Sequence, residues 1–368
     1  MKWSQRVTSV VTAVCFVALV ALGVEYVMHA DRSGPTAARD PHGTVSPTPT
    51  TSPTAAGSSP QTTPVPNGVT ISARPRLPSA SPVRRARPHR RHRLQPVATP
   101  TPTFLPPPTL DFVLTTFNML GASHTAPGGT HPGYASGKVR ALRAAELIRR
   151  HGSDVVGFQE LQGIQLAVLR RHTNLGFWPG FSPSVHDSEN SIGWRRDEWT
   201  AVEKHTIRIP YFDGGARAMP VVRLRSRSTG LEAWFANFHN PAETSRYHHQ
   251  QRFRSRATLI ESELANRLIT GTGLPVFVTG DMNERGSYFC RFTGMTPMVA
   301  ARGGSNSGRC RPSGSGGIDW IFGSQGVQFF DYQVDDSHLV DITTDHPVVT
   351  SHVRITGDAK NPGLAGGR

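Results

Sequence analysis

Polar side chains follow the ends of several apolar stretches in this sequence, where they could act together. Asn118 closes TTFN, Glu160 closes DVVGFQE and His239 closes WFANFH. Because ligands of α/β sheets bind at the rim where strands end, we expect these side chains to face one site. Further residues of this kind are Asp281 and Asn283 in GDMN, Asp319 in GIDWIF, and Asp345 and His346 in TTDHPVV.

Three of these residues carry the oxygen ligands that hard divalent cations prefer, namely Asn118, Glu160 and Asp345. They predict a site for Mg²⁺, with Mn²⁺ or Ca²⁺ as alternatives. Taken alone, each residue also has an ordinary structural interpretation. An asparagine or Gly-Asp pair can form a turn, a glutamate can precede a helix, and a histidine can be buried for packing.

The elements that must position these residues alternate between strands and helices. Aromatic and β-branched runs predict strands at residues 111–117, 154–158, 191–194, 219–224, 231–238, 275–279, 318–322 and 348–355. Apolar residues spaced by three and four predict helices at 139–151 and 161–171, and a long helix within 241–268. This mixture predicts an α/β or α+β domain with mixed sheets.

The joint order of the motifs resembles the endonuclease/exonuclease/phosphatase superfamily, which has the DNase I-like fold. The motifs TFN, FQE, NFHN, GDMN, IDWIF and TTDHPVV follow one another as that family's do. The resemblance covers residues 110–355 and implies a four-layer sandwich of two packed mixed β-sheets flanked by helices. Three departures keep every predicted catalytic group: Thr344 stands where serine is common, Met282 replaces a phenylalanine, and Pro347 directly follows His346.

The resemblance also implies roles for the site residues in hydrolysis of a phosphoester. Asp281 would position or deprotonate the attacking water, and Asn283 would orient the phosphate. His346, oriented by Asp319, would act as acid or base, and His239 would donate to a phosphate oxygen. Whether Asp281 or His346 is the general base stays open. A carboxylate that supports the central histidine in the family is placed only loosely, at Glu189 or Asn190.

The first 109 residues differ in composition from the rest of the 368-residue chain. Residues 7–24 carry no charge, which predicts a transmembrane anchor or a cleaved signal segment within residues 1–30. Residues 31–109 are rich in Pro, Thr and Ser and predict a disordered linker. We expect the catalytic domain at residues 110–356 and a flexible tail at 357–368.

Most of the net charge of +14 comes from the linker, where arginines cluster at residues 84–93. This cluster predicts attraction to an anionic polymer, with a solvated charged linker as the alternative. In the folded part, Arg223, Arg225 and Arg227 alternate along one predicted strand and favour a polyanion, with a solvated face as the alternative.

Three cysteines exclude a cysteine-rich zinc site and a disulfide framework. Cys290 and Cys310 flank a Gly/Ser/Arg-rich loop and predict one disulfide, with two free thiols as the alternative. A disulfide would suit an exported domain.

The sequence thus predicts a metal-dependent phosphoester hydrolase, most simply an extracellular nuclease or phosphodiesterase acting as a monomer. The domain would be held outside the cell by a single-pass anchor, or secreted if the anchor is cleaved. A sphingomyelinase-like or inositol-phosphate phosphoesterase is the alternative of the same chemistry. A catalytically inert module that binds polyanions is the alternative of another class.

Overall fold

A computed structural model of the chain describes residues 106–181, 187–314 and 316–364. The predicted N-terminal anchor and nearly all of the predicted linker lie outside these residues. None of the helices in the described ranges combines the length and the apolar character needed to cross a bilayer.

Two six-stranded mixed sheets form the domain. The first sheet has, in spatial order, β13 (Gln328–Asp335), β14 (Val348–Thr356), β1 (Thr109–Asn118), β2 (Val155–Gln159), β4 (Ile192–Arg195) and β3 (Leu175–Trp178). Only β1 and β2 are parallel in this sheet, and the other neighbours are antiparallel.

The second sheet repeats this plan. Its spatial order is β5 (Trp199–Pro210), β6 (Ala216–Ser226), β7 (Glu232–His239), β8 (Val276–Asp281), β12 (Asp319–Ser324) and β9 (Met298–Ala300). Here β7 and β8 form the single parallel pair. A short hairpin of β10 (Gly304–Ser305) and β11 (Arg311–Pro312) lies beside it in sequence.

Helices cover the outer face of each sheet. Helices α1 (Gly137–Arg150) and α2 (Gly163–His172) pack on the first sheet, where Ala141, Leu147 and Leu166 meet Phe117, Val156 and Phe158. Helices α3 (Gln251–Thr272) and α4 (Gly286–Met295) pack on the second sheet. A short helix α5 (His338–Asp341) precedes β14.

The inner faces of the two sheets share a hydrophobic core that includes Phe112, Leu114, Phe235, Phe277 and Ile321. Helix, sheet, sheet and helix therefore form four layers, as the sequence predicted. The predicted strands and helices are present, with bounds that differ by a few residues.

Several short elements were not predicted, and neither were the two long strands β5 and β13 and the helix α4, whose residues lack the expected apolar pattern. Strands β5 and β13 lie at sheet edges and leave most of their side chains partly or fully exposed, so no apolar run marks them. Helix α4 begins with Gly286 and Ser287 and contains Gly294, which hides its buried aromatic face in the sequence. Cys290 of this helix is bonded to Cys310, with their Cα atoms 5.7 Å apart.

A polar seam joins the two sheets beneath the ends of the parallel strands. The Gln159 side chain donates to Asn237 Oδ1 over 2.6 Å, and Asn237 donates back to the carbonyl of Phe158 over 2.7 Å. Thr279 also donates to Asn237 Oδ1 over 3.1 Å. Gly157 lies in this seam, and a Cβ atom there would overlap Thr279 Oγ1 and crowd Asn237. The sheets approach closely here because Gly157 has no side chain.

Gly157→Ala should therefore destabilise the domain. The added methyl group would push the seam apart, and overpacking of this kind costs about 1–3 kcal/mol. We expect this loss in the free energy of unfolding measured by urea denaturation. Gly133→Ala is the matched control, because its Cβ would meet open space. Equal stability of the two variants would contradict a tightly packed seam.

Candidate active site

The two parallel strand pairs end at the same edge of the sandwich. In the first sheet, Asn118 ends β1 opposite Gln159 of β2. In the second sheet, Asp281 lies in register between His239 of β7 and Asp319 of β12. The antiparallel neighbours β12 and β14 begin where these strands end, so residues before β14 reach the same edge.

Asp281 is the centre of this edge. Its Oδ2 atom accepts a hydrogen bond from the Asn118 amide over 3.2 Å. The Nε2 atoms of His239 and His346 lie 3.6 and 3.7 Å from the same oxygen. The backbone N–H of Asn283 donates to Oδ1 over 2.9 Å. The Asp281 carboxylate thus contacts Asn118 at the end of β1, both predicted histidines, and the turn after β8.

Asp281 and His346 both have pKa values raised well above those of free side chains. Burial raises the pKa of Asp281 to about 7, although the charge of His346 opposes this. Burial disfavours the cationic form of His346, but Asp319 outweighs it and raises the pKa of His346 to about 10. Both Asp319 oxygens lie 3.1 Å from His346 Nδ1. At neutral pH, His346 is therefore a cation, and Asp281 is close to its midpoint.

His239 is neutral near physiological pH, because burial lowers its pKa to about 3. Its Nδ1 atom lies 3.4 Å from the Tyr211 hydroxyl. If the hydroxyl donates this hydrogen bond, the ring proton is on Nε2 and faces Asp281. The supporting carboxylate that the resemblance places loosely at Glu189 or Asn190 stays a prediction, and Glu189 accepts hydrogen bonds from Gln162 and Arg217.

Arg217 and Tyr211 belong to the site edge, although the sequence did not mark them. The Arg217 guanidinium lies over the Tyr211 ring, 4.5 Å from its centroid. It is held by the carboxylates of Asp187 (2.7 Å) and Glu189. No motif signals these residues, because their proximity to His239 depends on how β5 and β6 pair.

Glu160 and Asp345 are the two carboxylates that could hold a divalent cation. The backbone N–H of Gly121 donates to Glu160 Oε2 over 2.8 Å, and His124 Nε2 lies 3.3 Å from the same oxygen. Burial favours a neutral Glu160, but the hydrogen bonds from His124 and Gly121, together with the nearby histidines, outweigh it and hold the pKa of Glu160 well below its usual value. Asp345 faces His131, whose Nε2 lies 3.6 Å from its Oδ2.

The donor set at Glu160 and Asp345 fits a divalent cation, because both side chains are partly exposed and carboxylate oxygens are ligands that such ions prefer. Asn118, the third predicted ligand, does not turn its oxygen toward these carboxylates. Its amide nitrogen faces Glu160 (3.4 Å) and Asp281, and its oxygen accepts from the Leu120 N–H over 3.0 Å. It would present oxygen to a cation only after a half-turn of the amide.

Asp281, Asp319 and His346 also place three ligand atoms within 4.8 Å of one another. In this cluster the His346 imidazolium already balances the Asp319 charge. A divalent ion there would have to displace that proton at a pKa of about 10.

Three residues next to the site have left-handed backbones, although none is a glycine. Their φ angles are 46° for Leu120, 56° for Glu160 and 49° for Asn283. Such conformations cost free energy and are held by the surrounding contacts. For Asn283, these contacts are the hydrogen bonds to Asp281 and to the Asn240 carbonyl, the latter over 2.8 Å.

All eight predicted catalytic and metal residues lie at one edge of the sandwich.

The predicted cationic face of β6 is largely neutralised. Arg223 pairs with Glu203 and Glu232 at 3.3 and 3.2 Å, and Arg225 pairs with Glu232 at 2.6 Å. Arg227 donates to the Arg196 carbonyl. These arginines therefore give little reason to expect a polyanion on this face.

Comparison with known proteins agrees with this geometry. The sequence pattern described as the Endonuclease/Exonuclease/phosphatase family matches residues 115–346, which hold all the site residues. The chain belongs to this family. It is therefore a phosphoester hydrolase with the DNase I-like fold. No curated protein sequence matches it significantly.

Solved structures of family members share the fold. An endonuclease/exonuclease/phosphatase family protein from Bacteroides thetaiotaomicron aligns with a TM-score of 0.52 and 17% identity, over 67% of this chain and 98% of its own. The mannosyl-6-phosphatase Bt3783 from the same species gives 0.50 and 19%, over 66% and 99%. The human Nocturnin catalytic domain, solved with sulfate, gives 0.50 and 16%, over 68% and 97%.

Asp281→Asn should stabilise the protein as it removes this buried acid. The folded-state pKa of Asp281 is raised from 3.8 to about 7, so ionisation in the native state costs stability. That cost grows as pH rises between these values and is complete above pH 7. We expect a higher Tm than wild type at pH 8 in EDTA, and little difference at pH 4.

Asp319→Asn is the matched control for this prediction, because it removes the partner of the His346 imidazolium. It should lower the Tm at pH 8, as loss of one member of a buried ion pair is destabilising. A Tm below that of wild type for Asp281→Asn at pH 8 would contradict the assignment of Asp281 as a buried acid whose ionisation destabilises the fold.

Proposed function

We propose that this chain is a divalent-metal-dependent phosphodiesterase that cleaves nucleic acid outside the cytoplasm. The observation that carries the catalytic part is the arrangement around Asp281, where a carboxylate with a pKa of about 7 lies between neutral His239 and cationic His346. A general base is most effective when its pKa lies near the working pH.

Within this proposal, Asp281 accepts the proton of the attacking water. His346, charged and oriented by Asp319, donates to the phosphoryl group and neutralises the charge that develops on it. His239 donates through Nε2, and Asn283 presents its remaining amide proton to a phosphate oxygen. We favour Asp281 over His346 as the base, because a group with a pKa of about 10 is a poor base at neutral pH.

Glu160 and Asp345 would hold the divalent cation, with Asn118 fixing Glu160 relative to Asp281. When bound, such a cation acts as a Lewis acid that neutralises phosphoryl and leaving-group oxygens. A binding module without activity is disfavoured, because every group that the reaction requires is present at this edge.

The pH dependence of kcat/KM tests the assignment of base and acid. Activity should rise with pH through about 7 as Asp281 ionises, and fall toward pH 10 as His346 loses its proton. The two values belong to the pair of interacting groups. We would measure hydrolysis of bis-p-nitrophenyl phosphate at saturating metal.

His346→Ala and Asp281→Ala should each lower turnover by at least about 100-fold, while circular dichroism stays native. His172→Ala, on the exposed end of α2, is the control and should retain activity. A folded, fully active His346→Ala protein would contradict the proposed mechanism.

A ledge of aromatic and cationic side chains supports nucleic acid as the substrate. The Phe212 and Tyr247 rings stack, with their centroids 4.2 Å apart. Phe212 also contacts Tyr211, which lies beside His239. Arg246 lies over the Tyr247 ring. Bases stack on such platforms while nearby arginines attract phosphates, so a strand whose phosphate lies at Asp281 could place a base here.

Removal of the ledge should affect nucleic acid more than a small ester. Stacking on an aromatic side chain is worth about 1–3 kcal/mol per base, so Phe212→Ala/Tyr247→Ala should lower kcat/KM for single-stranded DNA by about tenfold or more. Hydrolysis of bis-p-nitrophenyl phosphate should change little. Phe330→Ala, an exposed aromatic residue of β13, is the control.

Equal losses on both substrates would contradict a role for the ledge in binding bases. The same assay, with Mg²⁺, Mn²⁺ or EDTA, separates the competing substrates. Preferential turnover of sphingomyelin, inositol phosphates or sugar monophosphates would replace nucleic acid in the proposal. The last is the substrate type named for the Bacteroides mannosyl-6-phosphatase.

The extracellular location is part of the proposal and rests on two observations. The uncharged segment 7–24 has the composition of an anchor or signal segment, although it lies outside the described residues. The Cys290–Cys310 disulfide is of a kind that persists in oxidising compartments. The domain would act as a monomer attached to the membrane through its N-terminal segment, or secreted after cleavage.

A further inference from the structure

A cationic groove lies along one side of the sandwich, where the edge strands β3 and β5 of the two sheets meet. The Trp178 indole N–H of β3 donates to the His205 carbonyl of β5 over 2.7 Å, which joins the two strands beside the groove. The groove has a volume of about 360 Å³, within the range of small-molecule sites. Its lining contains three cations and three aromatic side chains, namely Arg170, Arg196, Lys204, Phe177, Trp178 and Phe181.

The charge of this groove is not neutralised by neighbouring carboxylates. All three cations are exposed, and the described residues that line the groove include no acidic side chain. Arg196 donates from Nε to the neutral Asn174 amide oxygen over 3.2 Å. The face of β6 differs, because Arg223 there pairs with two glutamates. Cations that are held together without counter-charges create a positive potential that attracts an anion.

Aromatic rings position two of the three cations. Lys204 Nζ lies 5.4 Å from the centroid of the Trp178 ring, and the guanidinium carbon of Arg170 lies 5.5 Å from the centroid of the Phe181 ring. Both distances are within the reach of about 6 Å for cation–π contacts. Side chains that are already positioned lose less conformational freedom when they bind a ligand, so these cations are suited to hold an anion.

Strand β5 leads from the groove to the active site. Lys204 and Pro210, the last residue of β5, differ by six positions, which is about 20 Å at about 3.3 Å per residue. The next residue is Tyr211, whose hydroxyl lies 3.4 Å from His239 Nδ1. Arg208 is exposed on the same side of β5 as Lys204, because alternate residues of a strand point the same way. Cations thus continue along this edge between the groove and the site.

We propose that Arg170, Arg196 and Lys204 bind phosphate groups of the nucleic acid strand whose scissile phosphate lies at the active site. The strand passes the ledge of Phe212 and Tyr247 and follows the edge of β5 into the groove. At 3.4 Å or more per nucleotide, about six nucleotides or fewer span the distance of about 20 Å. This inference rests on nucleic acid as the substrate of the proposed function and names the surface that holds the strand beyond the cleavage site. The N-terminal linker is not the occupant, because its arginine cluster at 84–93 is itself cationic.

Binding of a fluorescent single strand of about 15 nucleotides tests the inference. We would use the full-length chain in mild detergent, with EDTA to prevent cleavage, and the variant Arg170→Gln/Arg196→Gln/Lys204→Gln. Each phosphate contact contributes about 0.7 to the slope of log K against log salt for single strands, so the slope should decrease in magnitude by about 2. The Kd at low salt should rise by about tenfold or more.

The matched control removes the same number of charges outside the groove. Arg149→Gln/Arg225→Gln/Arg354→Gln replaces three arginines that each pair with a carboxylate. Exposed ion pairs contribute little to stability, so this variant should fold, and it should keep the wild-type Kd and salt slope. Both triple variants should hydrolyse bis-p-nitrophenyl phosphate at the wild-type rate, because this small ester does not extend to the groove.

The outcomes separate this inference from the proposed function. Equal losses in the two triple variants would reduce the effect to net charge and overturn the groove as a binding site, and so would a wild-type salt slope in the groove variant. An unchanged Kd for the strand, with lost binding of soluble short-chain phosphatidylserine, would assign the groove to a lipid headgroup and overturn the proposal. A wild-type protein that binds no strand would contradict nucleic acid as the substrate of the proposed function as well.

Discussion

The seam between the two sheets, formed by Gly157, Gln159, Asn237 and Thr279, is the constraint on which the site depends. The catalytic groups come from both sheets, and neither sheet alone contains a base, its neighbouring cation and a metal-binding pair. The seam fixes the ends of β1 and β2 against the ends of β7 and β8. A buried polar network whose groups are hydrogen-bonded favours one packing over others. The relative position of the two halves of the site follows from it.

Above the seam, the surroundings of Asp281 place its pKa near neutral pH, so that this carboxylate can gain and lose a proton there. Asp281 is buried among groups of both signs, and its pKa of about 7 reflects burial opposed by His346. Asp319 keeps His346 charged, and a neutral His239 avoids a second cation beside it. The fold therefore keeps a destabilising buried acid where the proposed reaction needs a base. Such a conflict between stability and activity is common at functional sites.

Local strain and loop packing serve the other half of the site. Glu160 has a left-handed backbone at the end of β2, which turns its side chain toward the loop carrying His124 and His131. Hydrogen bonds from the start of α2 hold that loop, as the Gln162 side chain accepts from the Ser123 N–H over 2.8 Å. Both carboxylates therefore meet groups that are distant from them in sequence.

The sequence by itself determined the fold class and the order of its catalytic motifs. Apolar runs that end in Asn118, Glu160, His239 and Asp281 show strand ends, because a buried strand needs a continuous apolar pattern. The tertiary structure decided what that pattern cannot encode. It decided which of Asp281 and His346 is the stronger acid, since burial and the Asp319 contact set their pKa values. It also placed Tyr211, Arg217, His124 and His131 at the site, because these contacts depend on edge-strand pairing and loop folding, which leave no periodic signal in the chain.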